Sequence, residues 1–299
     1  MSRQLSGVLT ALATPFTADG EIDVPRLRSL VDRSIEGGID GVVACGSTGE
    51  FATLTADERR LAVETVVEHA SGRVPVVAQT GATSTREAIR LSRHAQECGA
   101  DVLMVVAPYY DPLSPSEAAG YFRSVAEAVD VPVMLYNMPP QTGINLDPDL
   151  VGTLAREVEN IHYIKDSSGD MGQATQLIHH HRDYISTIVG WDSLILAALT
   201  EGAAAVMAGT ANIAPREIVA VQRAVAAGDF VAARAAWERI YPLIDVVLSS
   251  PYIPAVKAAL GLLGHPIGAP RRPTEDLDPA TRTRIEKVLA ELQLEAAQA

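Results

Sequence analysis

The sequence is short of the features that mark several broad classes of protein. Cysteine is nearly missing: 299 residues carry only Cys45 and Cys98, which form no CxxC pair. That excludes a disulfide scaffold and suits a reducing compartment. Positive charge is also scarce, with 24 Lys and Arg against 37 Asp and Glu, a formal net charge of -13. A balance so acidic argues against nucleic acid and against acidic lipid surfaces as partners. No apolar run is long enough to span a bilayer, and Met1-Ser2-Arg3-Gln4-Leu5 lacks the apolar core of a signal peptide. The expectation is a cytoplasmic enzyme or binding protein. Metal-ligand spacing is absent too: His179-His180-His181 cannot all face one ion, and His69, His94, His162 and His265 stand apart. No metal site is expected.

What the chain does have is a repeated cadence. An apolar run at 7–16 is followed by Leu27, Leu30, Val31 and Ile35 at helical spacing, with Asp23 as N-cap and Gly37-Gly38 as the stop. Further apolar strand candidates lie at 39–45, 74–79, 101–106, 132–136, 161–165, 185–190 and 203–208. Amphipathic stretches separate them at 55–70, 83–97, 115–129, 147–157, 171–181, 192–200 and 215–227, with Thr55 and Glu58 placed for a capping box. Gly38-Ile39-Asp40, Gly99-Ala100-Asp101 and Gly202-Ala203-Ala204 repeat one junction, a glycine ending a helix directly before a buried strand. Strands that are apolar throughout and alternate with helices predict a parallel sheet covered on both faces. Eight such units predict an α/β fold, a closed (β/α)8 TIM barrel over 1–228. The GxGxxG turn usual in an open doubly wound sheet does not occur. Residues 229–299 show no strand signal and predict a C-terminal helical domain, with 295–299 frayed at its end.

In a barrel the chemistry belongs at the C-terminal ends of the strands. The most informative of these ends is Ile161-His162-Tyr163-Ile164-Lys165-Asp166. Alternation puts Lys165 on one face with Ile161 and Tyr163, where an ammonium is poorly solvated. The neutral amine is the form that attacks a carbonyl carbon. Tyr136 ends the preceding strand, near enough to exchange a proton with that amine, although a packed rim tyrosine is the plainer reading. In Gly46-Ser47-Thr48-Gly49-Glu50 the glycines let successive backbone N–H groups converge on an anion, or simply make a strand-to-helix turn. Gly41 and Gly46 have P-loop spacing, but Ser47 stands where the phosphate-binding lysine belongs. Cys45 lacks an evident histidine partner and reads as a small buried thiol.

These segments resemble the dihydrodipicolinate synthase/N-acetylneuraminate lyase family of pyruvate-dependent class I aldolases. The resemblance runs end to end, through the loop 46–50, Pro108-Tyr109-Tyr110, Tyr136-Asn137-x-Pro139, Lys165-Asp166-Ser167-Ser168-Gly169, Gly209-Thr210-Ala211-Asn212 and the tail motif from Pro251 to Leu260. It implies a Schiff base between Lys165 and pyruvate, with Tyr136 moving protons and Ser47 linking it into a relay. The backbone of Ser47 and Thr48 would hold the pyruvate carboxylate, and Gly190 and Met207 would line the pocket. Tyr110 would reach into a neighbouring subunit's site, which implies a homo-oligomer, in this family usually a tetramer. No metal or organic cofactor is implied.

One position departs from the family's synthases. Where they carry an arginine for the second substrate's carboxylate, this chain has Gln141, which cannot form a charge-assisted bidentate pair. With Ser47, and with Asp192 able to accept from substrate hydroxyls, that favours a pyruvate aldolase or lyase acting on a 2-keto-3-deoxy sugar acid or related hydroxy-keto acid. 4-Hydroxy-tetrahydrodipicolinate synthase, joining pyruvate and aspartate semialdehyde, is the alternative. A Schiff-base dehydratase and a non-catalytic pyruvate-binding homologue are further ones.

Overall fold

A run of apolar residues between glycine-ended helices leaves few folds open, and the chain adopts the expected one. The computed structural model describes residues 4–294, so the expected frayed end at 295–299 lies outside the described residues. The strands are β1 (Gly7–Ala11), β2 (Gly41–Ala44), β3 (Val76–Gln79), β4 (Val102–Val106), β5 (Val133–Asn137), β6 (Ile161–Asp166), β7 (Ser186–Val189) and β8 (Ala205–Ala208). They follow one another in chain order and close into a barrel. The paired registers are parallel throughout. Between them run α1 (Val24–Glu36), α2 (Ala56–Ala70), α3 (Thr85–Glu97), α4 (Pro115–Ala126), α5 (Pro139–Thr142), α6 (Pro148–Glu157), α7 (Met171–His181), α8 (Ile195–Glu201) and α9 (Pro215–Ala226). After β8 and α9 come α10 (Phe230–Leu248), α11 (Tyr252–Leu262) and α12 (Pro279–Glu291).

By their contacts the residues form two compact units. One holds Pro75–Met207 with the residues through Ser6; the other holds Gly7–Val74 with everything from Ala208 onward. The helices beyond 228 therefore belong to the same unit as β1 and β2.

In the unit with Pro75–Met207, β4 and β5 are buried along their whole length, as a strand covered on both faces must be. The repeated Gly-x-Asp junction has a physical cause. Asp101 Oδ2 accepts from the Val76 N–H at 2.8 Å, so the acid ahead of β4 anchors the start of β3. The β5–β6 ladder shifts register between Val133 and Met134, leaving His162 exposed, and then runs regularly through Tyr136↔Lys165 and Asn137↔Asp166. Sequence reasoning missed α5, a single turn that the periodicity of so short a segment cannot announce.

The unit with Gly7–Val74 repeats the device: Asp40 Oδ2 accepts from the Val8 N–H at 2.8 Å. Here the first strand is shorter than expected. It stops at Ala11, and the apolar residues beyond it leave the sheet, with Phe16 bridging Ile22 and its N–H bonded to the Ile267 carbonyl at 3.0 Å. Hydrophobicity alone could not separate a strand from a buried loop. The Asp23 cap on α1 and the Thr55–Glu58 capping box on α2 both form. Glu58 goes further, holding Arg271 through two hydrogen bonds of 2.9 and 2.6 Å.

Candidate active site

Lys165 and Tyr136 come together as the β5–β6 register dictates. Lys165 is 5% exposed and Tyr136 is fully buried. The lysine Nζ lies over the face of the phenol ring, 4.1 Å from its centre. Among the described residues no carboxylate forms an ion pair with Lys165. Gly190, at the end of β7, makes this placement possible: a Cβ there would overlap Lys165 Cε and Ser167 Oγ. Ser167 Oγ donates to the Gly190 carbonyl at 2.9 Å and closes that edge of the site.

The neighbours of this pair on each strand are tied as well. Asn137 Nδ2 donates to Asp166 Oδ1 at 2.9 Å, one residue beyond the Tyr136–Lys165 step. Burial pushes the Asp166 carboxyl above its ordinary pKa, and hydrogen bonds from Asn137, Ser168 and Gln173 oppose the rise. Of the other expected residues in this unit, Met207 and Asp192 are buried, as Lys165 is. Gln141 is exposed on α5. Tyr110 is 85% exposed, at the edge of a cavity of about 850 Å³ that Thr83, Ser84, Tyr109 and Tyr121 also line.

The second unit carries the loop 46–50 at the end of β2. Its N–H groups turn inward on themselves in part: Gly49 N–H bonds to the Gly46 carbonyl and Glu50 N–H to the Ser47 carbonyl, each at 3.0 Å. Ser47 is half-buried and Thr48 buried. Sequence reasoning did not separate out Tyr252, the first residue of α11. A Cβ on Gly209 would strike its hydroxyl and crowd Thr48 Oγ1, so all three meet at the end of β8. The tail motif containing Tyr252 was the available signal.

Glu50, which ends the 46–50 motif, is committed to the fold. Its Oε1 is 2.6 Å from Lys257 Nζ, and its Oε2 accepts from the Arg271 N–H at 2.8 Å. Cys45 is buried, and burial raises its pKa to about 11, which disfavours a nucleophilic thiolate. His179 pairs with Glu201, and His181 packs against Gly152. Among the described residues no helix is long and apolar enough to cross a membrane.

Comparison with known proteins bears on the family. A profile described as the dihydrodipicolinate synthetase family matches residues 4–292. A protein of Methanoculleus marisnigri named 4-hydroxy-tetrahydrodipicolinate synthase is 40% identical over 286 residues, covering 95% of this chain and 98% of its own. One of the same name from Syntrophus aciditrophicus is 38% identical, with 95% and 97% covered. Among solved structures, YagE, a prophage protein of E. coli K12 described as belonging to the dihydrodipicolinic acid synthase family and in complex with pyruvate, superposes with TM-score 0.94. It is 34% identical, with 98% of this chain and all of that one covered. These names favour the synthase over the sugar-acid aldolase that the sequence reading put first. With the barrel and most of the sequence matched in this way, the chain belongs to the dihydrodipicolinate synthetase family, whose members are pyruvate-dependent class I aldolases that work through a lysine Schiff base and need no added cofactor.

Proposed function

We propose that Lys165 is the Schiff-base lysine and that the chain joins pyruvate to aspartate semialdehyde, the reaction of 4-hydroxy-tetrahydrodipicolinate synthase. The observation that carries the site assignment is a lysine amine buried against a phenol with no carboxylate partner among the described residues. The amine adds to the keto carbon of pyruvate, and loss of water leaves an iminium. That iminium withdraws electrons from the adjacent methyl, which gives up a proton to become an enamine, and the enamine carbon attacks the aldehyde. Tyr136 is assigned the proton transfers. Ser47 and Thr48 are assigned the pyruvate carboxylate, and Ser47 the hydroxyl of the relay, as their positions in the family pattern imply. Gly190 and Met207 are assigned to the lining of the pyruvate pocket. The names of the relatives support aspartate semialdehyde as the partner.

A second reading rests on Gln141. A neutral amide where the family's synthases have arginine favours an aldehyde without a carboxylate at that end, as in cleavage of a 2-keto-3-deoxy sugar acid. A pyruvate-coupled assay across aspartate semialdehyde and a set of hydroxyaldehydes separates the two. Rapid turnover of the semialdehyde supports the first reading. Turnover of hydroxyaldehydes alone, with Gln141→Arg gaining the semialdehyde, supports the second. The exposure of Tyr110 supports assembly into a homo-oligomer, which light scattering tests directly.

A further inference from the structure

Behind the Tyr136–Lys165 pair lies a polar network that neither the family pattern nor the sequence assigns a role. Asp166 receives four neutral donors: Asn137 Nδ2 at 2.9 Å, the Ser168 N–H at 3.1 Å and Gln173 Nε2 at 3.3 Å on Oδ1, and Ser168 Oγ at 3.1 Å on Oδ2. Asn137 Nδ2 also donates to Asn145 Oδ1 at 2.9 Å, while its Oδ1 accepts from the Leu146 N–H at 2.9 Å. Asn145 and Gln173 exchange two bonds, of 2.7 and 3.3 Å.

The placement of these groups is what gives the network meaning. Asn137 stands just before the turn 138–144, and Asn145 and Leu146 just after it, so one side chain grips both ends of the turn that carries Gln141. The same Asn137 holds Asp166, the residue after Lys165. The network's members Asn137, Asp166 and Gln173 are buried, and a departure from their geometry leaves a desolvated polar atom unpaired.

We propose that Asn137, Asn145, Gln173 and Asp166 form a positioning bridge that locks the Gln141 turn to the Tyr136–Lys165 pair. One arm, Asn137 to Asp166, sets the amine against the phenol. The other, Asn145 and Gln173, sets the turn against which the aldehyde is read. This rests on the Schiff-base reading above, and the two arms make separate demands.

Asn145 is exposed, so Asn145→Ala removes the outer arm without opening the core. Borohydride trapping of pyruvate then proceeds within about twofold of the wild-type rate, while KM for the aldehyde rises about fivefold with kcat little changed. The aldehyde is whichever of aspartate semialdehyde and glyceraldehyde the wild type turns over faster. Asp166→Ala removes the acceptor of the inner arm and slows trapping itself about tenfold or more. An Asn145→Ala enzyme with an unaltered aldehyde KM, or with trapping and KM impaired to the same degree, overturns the bridge. If Asp166→Ala does not fold, Asn145→Ala decides alone. A wild type that traps no pyruvate refutes the Schiff-base reading instead, so the two failures are distinguishable.

Discussion

Two of the three lysines in the sequence are buried, and the difference between them is instructive. Lys165 and Lys257 are 5% and 4% exposed, and each Nζ lies over an aromatic ring, that of Tyr136 at 4.1 Å and that of Phe16 at 4.2 Å. Lys257 has two polar partners, Glu50 at 2.6 Å and the Ala269 carbonyl at 3.1 Å. Burial pulls its pKa down and Glu50 pulls the other way. Lys165 has the ring and, among the described residues, no carboxylate. Equal burial thus serves opposite ends. A lysine matched by a carboxylate is a strut, whereas one left unmatched beside a phenol is available for covalent chemistry.

The sharpest way to break this comparison is to remove each amine in turn. Lys165→Ala lowers turnover by on the order of 10^4 or more, with the thermal midpoint little changed. Lys257→Met does the reverse, because it strands Glu50 without its partner. Loss of one member of a buried pair costs about 3–5 kcal/mol, read as a lower denaturant midpoint. Adding Glu50→Gln to Lys257→Met recovers part of that loss, since the stranded charge is gone.

The ion-pair region around Lys257 also makes a prediction in pH. Arg271 donates to Glu58 and lowers its pKa from 4.5 to about 2. A carboxylate with a depressed folded pKa stabilises fully above its unfolded value, and that contribution is lost as the pH falls toward the folded one. The shift sets an upper bound of roughly 3 kcal/mol, which solvent screening at this partly exposed pair reduces, and the contribution drains away between about pH 4.5 and 2. Urea midpoints across that range fall steeply in the wild type and more gently in Glu58→Gln. A steep fall retained in the variant assigns the acid sensitivity elsewhere.

A smaller effect sharpens the Lys165 side. Gly190→Ala places a methyl where Lys165 Cε now lies. Overpacking of this kind costs about 1–3 kcal/mol of stability. Displacement of the amine by a fraction of an ångström slows pyruvate trapping by up to about a hundredfold. The same substitution at Gly120, inside α4, where an added Cβ meets nothing within 4 Å, leaves trapping unchanged and raises stability by roughly 0.5–1 kcal/mol, as Gly→Ala does in a helix interior.

Much of this was legible in the sequence because the physics involved is periodic or local. Eight apolar runs between helical stretches determine the barrel, and the lysine ending one of them stood out because its run is so apolar. The caps at Asp23 and Thr55 needed only their own neighbours. What stayed hidden depends on contacts distant in sequence. The motif glutamate Glu50 gave no sign that its partners lie more than 200 residues away, at Lys257 and Arg271. The bridge through Asn145 and Gln173 was equally invisible, since neither residue bears charge or falls on an apolar stripe. The 3-10 turn that Asp192 opens was also not announced by the sequence, and Asp192 is buried to the same degree as Lys165. The overlong first strand failed for another reason: Phe16 is apolar because it packs under Lys257 and Arg271, not because it lies in the sheet.

The most direct test of the account is borohydride reduction in the presence of pyruvate, followed by peptide mapping. The sequence has only three lysines, Lys165, Lys257 and the exposed Lys287, so the competing side-chain amines are few. The account predicts an adduct on the Lys165 peptide alone, absent from Lys165→Arg. An adduct on Lys257 or Lys287, or turnover of pyruvate with no adduct at Lys165, would contradict it.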